Sequence, residues 1–161
     1  MRWWFGLASG VFVTPGLGSA GAVLETAPES VRNPPRYGLT AGGLAMAGGD
    51  LPAAEVAYGQ ALQRSQAGNR LVAERTEAAA CLIEAQLRQG KTSDAPATSE
   101  VMIAATPGSS VASTIRAQVL ATNGQHDPAG IMLERVVSAE PDNLRARALL
   151  GMVQLQQGNL G

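Results

Sequence analysis

Glycines at a fixed interval constrain this chain more than any other feature of the sequence. Gly90, Gly124 and Gly158 are equally spaced, and alanines follow the first two by five residues, at Ala95 and Ala129. The spacing, about 34 residues, is typical of arrays in which one supersecondary unit is repeated, and we call it the repeat interval. It predicts a stack of similar units, each of which buries its apolar face against its neighbours.

Prolines follow the same interval and mark the end of each unit. Pro107 and Pro141 are also one repeat interval apart, and each is expected to close a helix because proline cannot continue one. Gly49, with Ala54 five residues later, extends the series toward the N-terminus, although its distance to the next glycine of the series exceeds the repeat interval by seven residues. We expect the seven extra residues around Gln66–Leu71.

The residues between these markers resemble the tetratricopeptide repeat. In that family a leucine–glycine pair lies on the first helix, A-x3-F lies on the second, and a proline closes the unit. This chain has Leu150 and Gly151 before Gly158, Ala54 followed by Tyr58, and Ala129 followed by Leu133, while Gly42 precedes Gly49 by seven residues. The resemblance covers residues 36–161. It is weakest in the second unit, where Ile83 replaces the packing glycine and Ser99 replaces the aromatic residue.

The resemblance implies an all-α fold: a right-handed superhelical solenoid of antiparallel helix pairs, with about three and a half repeats. Each glycine of the series is expected to end a first helix in the left-handed conformation. Asp50, Asp94 and Asp127 then provide N-caps, and Pro128 is expected at the first helical position. Together these signals predict no strand, and helices near residues 37–48, 51–66, 70–89, 94–105, 110–122, 127–139 and 143–157.

The N-terminus has the pattern of a secretory signal peptide. Arg2 precedes an apolar run, and Ala20-Gly21-Ala22 supplies the small residues of a cleavage site. The sequence thus predicts a signal peptide at 1–22, an extended linker at 23–36 that contains Pro34 and Pro35, and a repeat domain at 37–161. The repeats are expected near 37–68, 76–109, 110–143 and, in part, 144–161. We expect export, to the periplasm of a bacterial envelope, or a cytoplasmic location if this segment is not a signal peptide.

The last repeat contains a first helix but only the beginning of a turn. Two interpretations stay open, a capping helix or one piece of a longer array. Leu149, Leu150, Val153 and Leu155 are more apolar than a cap requires. An exposed stripe of this kind would favour self-association through the C-terminal helix.

Chemistry-bearing residues are few. His126 precedes Asp127, but without a nucleophile motif the pair is better explained by an N-cap than by catalysis. Cys81 lies among alanines and is expected to pack as a small hydrophobe, and a single Cys and a single His are too few for a structural zinc site. The 12 basic residues are scattered over a chain of net charge −1, which disfavours nucleic acid as a partner. The sequence therefore predicts neither an enzyme nor a cofactor or metal site.

The resemblance implies instead that the first helices line a concave face that holds a peptide or a partner protein. The expected function is a protein–protein interaction scaffold in the bacterial envelope, for example in exopolysaccharide or pilus assembly and export. The alternative is an accessory repeat region of a larger envelope enzyme or outer-membrane secretion protein. The expected groove residues are Glu77, Glu84, Arg88, Gln118, Thr122, Arg145, Met152 and Gln156.

Overall fold

A computed structural model describes residues 26–28, 34–66 and 72–158 of the chain. These residues form seven helices and no strand, which confirms the predicted all-α fold. Every described helix end lies within two residues of its predicted position. The helices are α1 Pro35–Gly48, α2 Leu51–Ser65, α3 Val72–Arg88, α4 Ala95–Ala105, α5 Ser110–Thr122, α6 His126–Ala139 and α7 Leu144–Gln156. The predicted signal peptide, most of the predicted linker and most of the predicted insertion around Gln66–Leu71 lie outside the described residues.

The chain divides into two compact units, Met1–Ala85 and Gln86–Gly161, with the boundary inside α3. In the first unit α1 packs against α2. In the second unit α5 packs against both α4 and α6, and α7 packs against α6 and more lightly against α5. In these pairs, helices that follow one another in sequence are also neighbours in space, as expected for a repeat fold.

The glycines of the repeat series end the first helices as predicted. All four have positive φ angles, 79° at Gly49, 73° at Gly90, 75° at Gly124 and 74° at Gly158. After Gly49 the chain reverses, and the amide of Asp50 donates to the carbonyl of Ala45 at 2.9 Å. This left-handed ending satisfies a helix carbonyl that would otherwise lack a partner.

The predicted N-caps are only partly correct. The carboxylate of Asp50 accepts from the amide of Ala53 at 3.0 Å, so this residue caps α2. Asp94 makes no side-chain cap, because its backbone is already helical and its carboxylate accepts from the Ser93 hydroxyl. The prediction is also wrong for Asp127, since α6 begins at His126.

The early start of α6 places Asp127 and Pro128 further into the helix than predicted. Pro128 is the third helical residue, where the prediction had placed it first. Asp127 lies in the first turn, where a carboxylate interacts favourably with the helix dipole, and it accepts from Gln157 Nε2 at 2.6 Å. Similarly, α1 begins at Pro35, two residues before the predicted start, because proline is well tolerated at the first helical position.

Two N-caps were absent from the prediction. The side chain of Ser109 accepts from the amide of Ala112 at 3.2 Å, and that of Asn143 accepts from Ala146 at 3.1 Å. These two residues are themselves one repeat interval apart, and each follows a proline of the series by two. The repeat interval would therefore have identified both.

Small residues allow the helices of the first unit to approach closely. A Cβ atom added to Gly42 would lie within 3.0 Å of three ring carbons of Tyr58, which is only 5% exposed. Ala54, Ala95 and Ala129, the alanines five residues after each glycine, are all fully buried. The tetratricopeptide-type positions therefore perform the packing role that the sequence pattern predicts.

One cluster of buried apolar residues joins three helices of the second unit. Its buried members come from α5, α6 and α7 and are Ala117, Ala129, Leu133, Val136, Ala146 and Val153. Each Å² of apolar surface removed from water contributes about 25 cal/mol to the free energy of folding. Such clusters are therefore the main source of stability in helical arrays. The cluster packs both α5 and α7 against α6 and so positions the two first helices whose exposed faces are described next.

Candidate partner-binding surface

The predicted groove residues occupy equivalent positions on the first helices of three repeats. On α3 they are Glu77, Glu84 and Arg88, which are exposed and share one face because they are seven and four residues apart. Glu77 and Glu84 belong to the first unit and Arg88 to the second. In the second unit the prediction adds Gln118 and Thr122 on α5, and Arg145, Met152 and Gln156 on α7.

The structure brings the α5 and α7 residues together within the second unit. Arg145 Nη2 donates to Gln118 Oε1 at 2.9 Å, so the two first helices meet through side chains of this set. Thr122, Met152 and Gln156 are exposed on the same faces of their helices. This contact links the exposed faces of two successive first helices.

Sequence reasoning missed one member of this surface. Val111 on α5 is 61% exposed and lies seven residues before Gln118, the spacing that also separates Arg145 from Met152. It stands one repeat interval after Glu77 and one before Arg145, so the repeat interval was the signal that could have found it. We call the set formed by Val111, Gln118, Thr122, Arg145, Met152 and Gln156 the first-helix surface.

The first-helix surface combines apolar area with polar groups that can both donate and accept. Val111 and Met152 are among the large apolar side chains that the fold leaves exposed, at 61% and 52%. Gln118 and Gln156 carry amides, which donate and accept like a peptide bond. The guanidinium of Arg145 has five N–H donors, of which the bond to Gln118 uses one. Such a set suits the backbone and side chains of a peptide.

The cysteine belongs to the first unit and is not a member of the first-helix surface. The thiol of Cys81 is half-buried on α3, and burial raises its pKa, with the nearby Glu77 and Glu84 carboxylates adding to the rise and a hydrogen bond with Tyr58 opposing it. A raised pKa keeps the thiol protonated at neutral pH, and the thiolate is the reactive form. The structure therefore places Cys81 in an environment that suppresses nucleophilic reactivity.

The neighbouring His126 and Asp127 are not arranged as a catalytic pair. Asp127 accepts from Gln157, and the buried Nδ1 atom of His126 has no hydrogen-bond partner. A triad histidine needs its Nδ1–H to be oriented by a carboxylate. The geometry here provides no such orientation.

Metal-binding groups and membrane-spanning helices are absent from the described part of the chain. Within residues 26–28, 34–66 and 72–158, no three His, Cys, Asp or Glu side chains form a group that could hold a metal ion. Across the same ranges, each helix is too short or too polar to cross a membrane.

The chain is similar to several solved structures, although its sequence alone matches no known family. No protein-family model matches the sequence, and no curated protein matches it significantly. A fragment of MamA from Desulfovibrio magneticus RS-1 superposes with a TM-score of 0.71 at 13% identity, over 98% of this chain and 85% of that one. YrrB, described as a TPR protein with an unusual peptide-binding site, gives 0.68 at 16% identity, over 98% of this chain and 77% of that one.

A third neighbour is also a tetratricopeptide protein. TTC0263 from Thermus thermophilus superposes with a TM-score of 0.60 at 17% identity, over 99% of this chain and 84% of that one. Identities this low carry information about the fold alone. Together with the left-handed glycines and buried alanines at the repeat interval, these likenesses show that the chain has the all-α, tetratricopeptide-type helical-repeat fold.

Proposed function

We propose that this protein is a protein–protein interaction scaffold that binds a peptide segment of a partner on its first-helix surface. The observation that carries the proposal is the Arg145–Gln118 hydrogen bond, which joins two successive first helices into one exposed surface. The apolar side chains of Val111 and Met152 on that surface would lose contact with water when a partner binds. Binding, not catalysis, is the activity that these side chains suit.

The chemistry of the surface indicates the chemistry of the partner. Arg145 and Arg88 are exposed cations on first helices of the second unit. A guanidinium forms strong bidentate hydrogen bonds with a carboxylate. We therefore propose a partner segment that presents an aspartate or glutamate near Arg145 and an apolar side chain near Met152. YrrB, which has the same fold, is described as having a peptide-binding site, and this supports a peptide as the ligand.

The test is a selection of binding peptides from a displayed random library, followed by affinity measurements on variants. Met152→Glu places a carboxylate in the apolar part of the surface and is expected to weaken binding about tenfold or more, as loss of a central contact does. The matched control is Ile131→Glu on α6, a second helix, where the side chain is exposed to a similar degree, 54% against 52%. Equal loss of affinity in both variants would contradict the proposed surface.

Charge reversal gives an independent check of the partner chemistry. Arg145→Glu is expected to weaken the selected acidic peptides and to make binding less sensitive to salt, because an attractive ion pair is lost. Arg135→Glu on α6 makes the same change at another exposed arginine and should leave affinity unchanged. If the selected peptides contain no acidic residue, the proposed role of Arg145 is wrong while the apolar contact can still hold.

We also propose that the protein works in the bacterial envelope, in a system that assembles or exports polymers or pili. The support is the sequence of residues 1–22, with its apolar run and small-residue cleavage pattern. The test is the intact mass of the protein recovered from the envelope fraction of its source. A species that starts at Val23 supports export, whereas a species in the cytoplasmic fraction that retains residues 1–22 would overturn it.

A further inference from the structure

The C-terminal helix α7 carries an apolar stripe on the face opposite to the one that it buries. Ala146 and Val153 pack into the core of the second unit. Four residues at spacings of four, three and four lie on the other side of the helix, about half a turn away. We call them the outer stripe: Leu144, Ala148, Gly151 and Leu155.

The outer stripe is exposed to an unusual degree for apolar side chains. Leu144 is 76% exposed and Leu155 is 59% exposed, and a Cβ atom added to Gly151 would meet no atom within 4 Å. The residues one repeat interval before Ala148 and Gly151 are Thr114 and Ala117, which are buried at 2% and 0%. In the preceding repeat, therefore, the two central positions of the stripe are covered, whereas α7 leaves Gly151 open.

We propose that the outer stripe is a dimerisation surface on which α7 of a second copy of this chain packs in antiparallel orientation. The stripe is self-complementary about its centre, with a leucine at each end and a small residue on each side of the middle. In an isologous contact residue i meets residue j of the other copy and j meets i. An antiparallel pair thus places each Leu144 against Leu155 of the second copy, and each Ala148 against Gly151. The small central residues allow the helix axes to approach to about 8 Å.

The charges of α7 favour the antiparallel orientation over a parallel one. Arg145 and Arg147 lie in the N-terminal half of the helix, and Gln154 and Gln156 lie in the C-terminal half. An antiparallel pair sets the arginines of one copy beside the glutamines of the other, where a guanidinium can donate to an amide oxygen. A parallel pair would set arginine beside arginine, and like charges at close range oppose association.

The size of the surface determines the expected strength. The 13 residues of α7 span about 20 Å, so one helix pair buries less than the roughly 1,200 Å² of the smallest stable interfaces. The dimer should therefore be weak and reversible, with a dissociation constant between about 10 μM and about 1 mM. Dimerisation does not rest on the proposed peptide binding, because the first-helix surface occupies a neighbouring face of α7.

The decisive experiment is sedimentation equilibrium of the full chain and of Gly151→Arg across that concentration range. The space around Gly151 is open and arginine is a better helix former than glycine, so the variant should fold, and its thermal melt verifies this. The variant brings one arginine from each copy close together near the centre of the contact, each against Ala148 of the other copy, and this should weaken dimerisation more than about tenfold. Gly59→Arg is the matched control, since Gly59 is also a helical glycine with nothing within 4 Å. A wild-type chain that stays monomeric at about 1 mM, or a Gly151→Arg chain that dimerises like wild type, overturns the proposal.

A charge-pairing experiment tests the orientation. Leu144→Glu alone and Leu155→Lys alone should each dimerise more weakly than wild type, whereas an equimolar mixture should form a heterodimer in which Glu and Lys face each other. In a parallel pair each residue would face its own copy, and mixing would not restore association through a Glu–Lys contact. A mixture that associates no better than the separate variants overturns the antiparallel arrangement.

Discussion

Gly42 and Gly151 occupy the same place in the repeat pattern and have opposite surroundings. Each precedes a left-handed glycine by seven residues. In the first unit Gly42 is buried against the ring of Tyr58 on α2, with no room for a Cβ atom. In the second unit Gly151 faces open space on α7. The glycine thus marks a position that can receive a closely packed helix, and this position is filled at Gly42 and open at Gly151.

A glycine at this place in the repeat can therefore lie against a neighbouring helix or face open space. A glycine on a first helix predicts close approach by a neighbour, but the identity of the neighbour comes from another part of a chain. At Gly42 the neighbour is α2, which follows at once and carries Tyr58 at the position of the family's aromatic residue. At Gly151 the structure places no atom within 4 Å of an added Cβ, and the proposed dimer would fill this space.

Replacing each glycine by leucine should give the largest contrast between the two sites. Gly42→Leu inserts four carbon atoms into space held by Tyr58, and we expect a loss of about 3 kcal/mol or more in the free energy of unfolding, at the upper end of overpacking costs. Gly151→Leu, in open space, should raise stability by up to about 1 kcal/mol through helix propensity. Urea unfolding at dilute protein concentration measures both values. Equal losses at the two sites would mean that Gly151 is also packed.

The buried alanines extend the comparison to the second helices. Ala129→Leu is expected to cost about 1–3 kcal/mol, because Ala129 is fully buried in the core cluster of the second unit. Ala104→Leu makes the same change on the exposed side of α4 and should alter the stability by less than about 0.5 kcal/mol. Thermal unfolding of both variants checks the assignment. An unchanged melting temperature for Ala129→Leu would show that the repeat interval has been placed incorrectly.

Features that recur at the repeat interval could be predicted from the sequence because each has one local cause. A positive φ angle requires glycine at Gly49, Gly90, Gly124 and Gly158. Close contact between helices requires a small residue at Ala54 and Ala129. These requirements act on backbone and volume alone, so residue type reveals them without knowledge of distant contacts.

Features that depend on pairs of distant side chains could not be predicted. Ser99 stands where the family has an aromatic residue, and the structure shows it fully buried with its hydroxyl accepting from Arg116 Nη1 at 2.6 Å. The same guanidinium donates to the carbonyl of Pro96 at 2.8 Å and to Glu100 Oε1 at 3.1 Å. A polar contact between two helices replaces an apolar one here. Because this polar contact occurs in one repeat only, no periodic pattern in the sequence predicts it.

The sequence predicted only part of the proposed surface, because contacts between distant side chains are not visible in a periodic pattern. Resemblance supplied the positions, and the structure shows that Gln118 and Arg145 meet. Whether these positions contact a partner stays a prediction. Val111 was missed because a single valine in a helical sequence is usually interpreted as a core residue. Its alignment with Glu77 and Arg145 at the repeat interval is what indicates an exposed position.

The helix caps offer the smallest and most local test of how far the repeats are equivalent. Asp50 and Asp94 each directly precede a second helix, one and four residues after the glycine of their repeat. Only Asp50 accepts from a backbone amide of its helix. Asp50→Ala should therefore cost about 1 kcal/mol, as the loss of an N-cap does. Asp94→Ala removes only an exposed contact with the Ser93 hydroxyl and should be within about 0.5 kcal/mol of wild type. Chemical denaturation of the two variants under one set of conditions measures the difference.

The paired design of this experiment isolates the cap itself. Because both substitutions remove one carboxylate from the start of a second helix, the change in net charge and the helix-dipole effect cancel in the comparison. A cost at Asp94 that matches the cost at Asp50 would mean that the Asp94 carboxylate caps α4 in solution. The first two repeats would then begin their second helices in the same way.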